Sequence, residues 1–197
     1  MTVSRLIKRL IDVIGALLLL VLTSPIVALA AIAIRCDSPG PAIFRQTRVG
    51  LHGKRFMMCK LRTMRTGAES EWVAPPADQF SAYIFQDPGD ARVTPVGRFL
   101  RRTSIDELPQ LVNVLKGEMS LVGPRPEIPE MVALYKPEMH RRHDVLPGIT
   151  GLAQVSGRGS LTCGEMMAYD LTYRDSWSLK LDWWILLETL RQFIRGV

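Results

Sequence analysis

From Val13 to Ile34 the chain runs without a single charged residue. As one helix rising ~1.5 Å per residue, such a run just reaches across the ~30 Å hydrocarbon layer of a bilayer. No other stretch constrains the fold as much, because so much apolar surface must lie in lipid or in a core. At its middle stands Ser24-Pro25. Proline removes a backbone donor and bends a helix, at ~3 kcal/mol in an ordinary helix interior. The Ser24 hydroxyl is placed to satisfy carbonyls freed in the preceding turn. Basic residues flank both ends: Arg5, Lys8 and Arg9 before, then Arg35, Arg45, Arg48, Lys54 and Arg55 after. Positive charge marks the cytoplasmic side of a membrane. A helix–break–helix that enters one leaflet and returns gives both ends their preference; a kinked spanning helix is the other arrangement the pattern allows. A cleaved signal peptide is not expected, since the run is long and a basic, thiol-bearing segment follows it.

The remainder asks for a water-facing domain. Over 197 residues, 47% are hydrophobic and 22% charged, a mixture that suits a membrane-attached protein with one soluble domain. The breaker cluster Asp37-Ser-Pro-Gly-Pro41 marks the boundary, which divides the chain into an anchor at 1–35 and a domain at 36–197. A net charge of +6 favours an anionic partner: phospholipid, nucleotide or nucleic acid. The three cysteines form no C-x-x-C and read as reduced thiols. His140 and His143, flanking Arg141-Arg142, read as a solvated basic face and not as a metal site.

Within the domain, Ala42–Thr47 and Arg55–Leu61 read as a β-hairpin turning at Gly50–Gly53. Lys60 and Arg62 alternate with apolar residues on and after its second strand, facing either a phosphate or water. Thr66–Asp90 is polar and rich in breakers, hence loop; Asp87 and Asp90 read as turn residues. The stretch Gly97–Pro126 is the densest in chemistry. Arg98, Arg101 and Arg102 precede the adjacent carboxylates Asp106 and Glu107, an apolar helical run covers Leu108–Leu115, and Arg125 is held between Pro124 and Pro126. Guanidinium groups around a carboxylate pair suit chemistry on phosphate. The same residues fit a capping box, with Ser104 as N-cap and Glu107 reaching back to it, although Pro109 resists that register. Farther on, Ile128–Arg142 reads as a helix with a basic end. Val155–Gly159 presents Arg158 between glycines, either a phosphate ligand or an ordinary turn arginine. Glu165–Tyr173 reads as a helix. Leu179–Ile194 is amphipathic, and Trp177, Trp183 and Trp184 suit a membrane interface. P-loop, dinucleotide-binding and hydrolase signatures are absent.

In this order, KRLID (Lys8–Asp12), the run broken at Ser24-Pro25, CKLRTM (Cys59–Met64), RRTSIDELPQLVNVLKGEMSLVGPRPE (Arg101–Glu127), PGITGLAQVSGR (Pro147–Arg158) and YDLTYRDSWSLKLDWWILLETL (Tyr169–Leu190) resemble the bacterial sugar transferases. More specifically, the chain looks like a small monotopic phosphoglycosyl transferase, reduced to the catalytic unit. The resemblance implies an α+β, mostly helical fold with a re-entrant N-terminal membrane helix hairpin, a β-hairpin and surface amphipathic helices. It implies transfer of a sugar-1-phosphate from a UDP-sugar to polyprenol phosphate, with release of UMP, at the cytoplasmic face of the bacterial inner membrane. Asp106 matches the nucleophile and the carboxylate beside Mg2+, and Glu107 its catalytic partner. Arg101, Arg125 and Arg158 match phosphate-binding arginines. Lys60, Arg62 and Gln154 fall in matching segments as nucleotide or phosphate contacts, and Ser24-Pro25 matches the helix break. A plain hexose such as glucose or galactose is favoured over an N-acetyl sugar, no nucleic-acid partner is implied, and the oligomeric state is left open. The rival reading, resting on charge and amphipathicity alone, is a non-catalytic membrane-surface module that binds anionic lipid or nucleic acid.

Overall fold

The computed structural model describes residues 3–84 and 89–195. It is 63% helical, with only short strands, which agrees with an α+β, mostly helical class. Asp87 lies outside the described residues.

Helix α1 spans Val3–Asp37 without interruption. The expected division into two helices at Ser24-Pro25 is therefore not observed, and the reason is local. Pro25 has no N–H to give the carbonyl of Val21, and the Ser24 hydroxyl donates to that same oxygen at 2.9 Å. Thr23 donates to Leu19 O at 2.7 Å one turn earlier. Only 11% of the most apolar part of α1 is buried, so it is not the core helix of a soluble domain. What it does bury lies toward its two ends. Ala16 joins a core with Val114, Met119, Leu121 and Ile185, while Ala30 and Ile34 pack with Leu61 and Leu100.

The N-terminal end of α1 is also fastened by charge. Lys8 pairs with Asp182 at 2.7 Å and donates to Val122 O at 3.1 Å. Arg9 donates to Val114 O and Leu115 O, carbonyls in the last turn of a short helix, where a cation suits the dipole. Asp12 accepts from Ser120 Oγ and Leu121 N, both at 3.0 Å.

Strands β1 (Ile43–Val49) and β2 (Arg55–Leu61) form the expected antiparallel hairpin, in register from Ile43↔Leu61 to Val49↔Arg55. Helix α2 (Pro95–Arg102) starts on a Thr94 cap and a favourable first-turn proline. Gly97 lets it lie against the backbone beyond β2, since a Cβ there would meet Thr63 O at 2.0 Å. A 3-10 turn at Ile105–Gln110 follows, then α3 (Leu111–Lys116), which ends on Gly117 at φ 81°. Asn113, fully buried, binds Met57 O and Cys59 N and so fixes α3 beside β2.

Strand β3 (Ser120–Val122) pairs in parallel with β4 (Gly148–Thr150). Between them, the single helix expected over Ile128–Arg142 is instead α4 (Pro129–Val132) and a 3-10 segment at Pro137–Asp144. Pro137 has no N–H with which to continue the helix. The chain closes with α5 (Leu152–Gly157), α6 (Cys163–Ser176) and α7 (Leu179–Arg195). Helix α6 opens on a true capping box, Thr162 with Glu165. On α7, Ile185 is fully buried while Trp183, Trp184, Leu187, Leu190 and Phe193 are exposed. Trp177, by contrast, turns inward and donates to Asp182 at 3.2 Å.

Candidate active site

The capping-box reading of Ser104 and Glu107 fails in the structure. Ser104 adopts φ 54°, left-handed, and makes no side-chain cap. That conformation costs a non-glycine residue on the order of 1–3 kcal/mol and recurs at functional sites. It ends α2 abruptly and starts the 3-10 turn that carries both carboxylates. Pro109, within the turn, has no donor for a longer helix to use. Glu107 is thereby free to point elsewhere, and it accepts from the Arg125 guanidinium at 2.5 Å.

Asp106 is 7% exposed. Burial, and then the neighbouring Glu107 charge, push its carboxyl up to about 6, against the pull of Lys60, Arg125 and Arg101. Lys60, on β2, stands over the Phe44 ring at 5.4 Å. Burial and the Arg48 charge push its ammonium down to about 8, although Asp106 supports it. Arg101, from the last turn of α2, donates Nε–H to Thr63 Oγ1 at 2.9 Å. Burial lowers its pKa, opposed by Asp106. Arg125 moves the other way, held charged by Glu107. Two carboxylates thus sit among three cations brought from β2, α2 and the Pro124–Pro126 segment. Such a site attracts an anion with several oxygens and keeps one buried carboxylate close to neutral pH.

The remaining sequence candidates are placed differently. Arg62 is 5% exposed and donates to Pro39 O at 2.7 Å and Ser38 O at 2.8 Å, so its guanidinium stitches the linker after α1 to the end of β2. Gln154 lies on α5, with both side-chain polar atoms buried and without a hydrogen bond among the described residues. No hydrogen bond joins it to the Asp106 group. The side chain of Arg158 lies outside the described residues.

Among the described residues, no group of three or more His, Cys, Asp or Glu is placed to hold a metal ion. The donor set at the site is Asp106, with Glu107 already engaged by Arg125. That fits Mg2+ of the kind held by one carboxylate and completed by substrate phosphates and water, not an all-protein cage.

Two features escaped sequence reasoning. Thr63, which orients Arg101, sits in a matched segment but carries no pattern that points to it. Arg142 and His143, expected on a solvated basic face, are 3% and 8% exposed. His143 stacks on Tyr135 at 5.9 Å between centroids, and burial together with Arg142 holds its pKa down to about 4.

A carboxylate pair framed by basic groups thus lies in the same chain as a helix long and apolar enough to cross a membrane. The bacterial sugar transferase model matches residues 3–196, and the chain belongs to that family. It is 48% identical over 191 residues to a UDP-glucose:undecaprenyl-phosphate glucose-1-phosphate transferase of Caulobacter vibrioides, covering 93% of this chain and 68% of the relative. An uncharacterized sugar transferase of Bacillus subtilis is 41% identical over 189 residues, covering 96% and 88%. A second UDP-glucose:undecaprenyl-phosphate glucose-1-phosphate transferase, from Escherichia coli, is 45% identical over 188 residues, covering 91% of this chain and 38% of its own length.

Proposed function

We propose that this chain transfers a sugar-1-phosphate from a UDP-sugar to polyprenol phosphate through a covalent intermediate on Asp106. The observation that carries this reading is the buried Asp106 carboxylate set among Lys60, Arg101 and Arg125, with Glu107 fixed by Arg125 at 2.5 Å. An Asp106 oxygen attacks the β-phosphorus, and the bond from that phosphorus to the bridging oxygen breaks. UMP leaves with the electron pair. An oxygen of polyprenol phosphate then attacks the same phosphorus and displaces Asp106, which returns as a carboxylate. Splitting the transfer in this way replaces one difficult displacement by two easier ones. Lys60, Arg101 and Arg125 hold phosphoryl oxygens as charge shifts toward the leaving group; Arg158, carried by resemblance, joins them. Mg2+ bound at Asp106 would neutralise diphosphate charge. Glucose, named in two relatives, is the first donor to test.

Helix α1 dips into the cytoplasmic leaflet and returns by the same face, bending at Pro25 while its hydrogen-bonded ladder stays continuous. In support, Lys8, Arg9 and Asp12 are bonded into the same domain on which Ala30 and Ile34 pack. Leu17, Leu18, Val21 and Leu22, lying between those contacts, remain exposed. The apolar outer face of α7 rests on the same surface.

The test is purified protein in detergent or nanodiscs with a panel of UDP-sugars, with and without undecaprenyl phosphate. Multiple-turnover UMP release that requires the lipid phosphate and stops with chelator is expected. With UDP-sugar alone, intact mass should rise by one phosphosugar. Turnover without any mass gain, or turnover by Asp106→Asn, would remove the covalent route.

A further inference from the structure

The segment Pro124–Glu127 contains two prolines and so has few donors of its own, yet each of its carbonyls is held. Gly148 N–H donates to Pro124 O at 2.9 Å, and Val49 N–H donates to Glu127 O at 2.9 Å. Among the described residues, the two inner carbonyls have no backbone partner. Arg142 Nη2 donates to Arg125 O at 2.6 Å, and Arg48 Nη1 donates to Pro126 O at 3.2 Å. Both arginines are buried, at 3% and 8% exposure.

Arg142 is the more firmly set of the two. Its other contacts are Asp170 on α6, at 2.5 Å, and the Tyr135 hydroxyl, also at 2.5 Å. Burial opposes its charge, but Asp170 and Tyr135 outweigh that and keep it ionised. A buried ion pair is a poor way to gain stability, because well-packed apolar side chains of similar volume often do as well or better. A hydrocarbon in place of Arg142 would, however, leave Arg125 O without its donor. The Arg125 side chain departs from that same residue and reaches Glu107 at 2.5 Å.

We infer that Arg142, clamped by Asp170 and Tyr135, is a positioning residue that aims Arg125 at Glu107 and the phosphate site. The inference rests on the functional reading above. The path runs from the Asp170 carboxylate to Arg142, through the Arg125 carbonyl to its guanidinium, and on to Glu107 beside Asp106. Arg142 itself touches none of the reacting atoms. Its contribution is geometric: lysine at this position keeps the charge but lacks the planar fork that serves three acceptors at once.

A double-mutant cycle on the rate of UMP release tests this, using the UDP-sugar with the fastest wild-type turnover. Arg142→Lys alone should slow the rate on the order of 10²-fold, the usual consequence of a misplacement of about 1 Å at a reacting centre. In an Arg125→Lys background the same change should add less than about 3-fold, because positions that act in series do not multiply. Tyr135→Phe, which removes only the hydroxyl, should show the same non-additivity at smaller size and serves if Arg142→Lys does not fold. Equal losses in both backgrounds, or a lowered Tm with an unchanged rate, would overturn the positioning role. A wild-type protein with no lipid-dependent UMP release would instead overturn the functional reading, and this inference with it.

Discussion

Replacing Asp106 with asparagine should end turnover and at the same time make the protein more stable. Burial lifts the Asp106 carboxyl from an ordinary 3.8 to about 6 in the folded state. At 7% exposure, solvent screens little of this. A raised folded pKa means that ionisation opposes folding. The stability associated with Asp106 is full below about pH 4 and is lost as pH rises through about 6. A shift of roughly 2 pH units at 1.36 kcal/mol each makes the carboxylate cost about 3 kcal/mol at neutral pH. That is a ceiling, because the same charge supports Lys60, whose ionisation already falls near pH 8. For a chain of this size, 1 kcal/mol moves Tm by about 2–4 °C, so Asp106→Asn should melt up to roughly 6–12 °C above wild type at pH 8. Melts in detergent at pH 8 and at pH 4 provide the measurement. The gap should be wide at pH 8 and nearly closed at pH 4. An Asn variant no more stable at pH 8, or a gap that persists unchanged at pH 4, would refute the reasoning, since the burden would then not be the charge.

Glu107→Gln should leave folding stability within about 1–2 kcal/mol of wild type, because glutamine keeps a side-chain oxygen that can accept from Arg125 in this part-buried contact. It should slow UMP release by ~10²–10⁴-fold if Glu107 acts in proton transfer or charge placement; a near-normal rate would exclude that role. Single cysteines at Ser4 and Ser38, in a background without native thiols, should both resist an impermeant maleimide in intact cells and both react after permeabilisation. Labelling at Ser4 from outside would show that α1 spans. Replacing Trp183 and Trp184 together with serine, both about half-exposed on α7, should make α7 more accessible to protease on membranes, with little change in Tm and with α1 still holding the protein there; unchanged accessibility would argue against α7 lying on lipid.

The local features of the chain were readable from its residues wherever short-range rules govern. The hairpin formed as the alternation and the Gly50–Gly53 turn required. Ser24 satisfied the carbonyl that Pro25 leaves open, although the helix then stayed whole. Asp106, Glu107, Arg101 and Arg125 came together as their grouping in one stretch suggested, and Lys60, whose strand position alone left open what it faces, joined them from β2. Failures came where tertiary partners override local pattern. Ser104-x-x-Glu107 has the form of a capping box, but Arg125 offered Glu107 a charged partner from 18 positions away. Arg142 and His143 look like surface residues in a run of charge. Asp170, brought by α6 from 28 positions on, and the Tyr135 hydroxyl make the burial of Arg142 favourable, while His143 stacks on the Tyr135 ring. Arg62 likewise reads as a free cation until the linker carbonyls of Ser38 and Pro39 close on it.

The Lys8–Asp182 pair spans 174 positions, and this separation dictates an order of biosynthesis. Helix α1 leaves the ribosome while Asp182 is still unmade. Until α7 emerges, Lys8 has no carboxylate, and Tyr173, whose hydroxyl also binds Asp182 at 2.7 Å, lacks its acceptor there. The contact that fastens α1 is therefore completed only once α7 has been made. A nascent chain stalled before Asp182 should remain membrane-bound yet protease-sensitive, with resistance arriving only on release of α7. Contacts this distant in sequence also form slowly, which makes the unfinished chain a natural target for chaperones and quality-control proteases at the membrane surface.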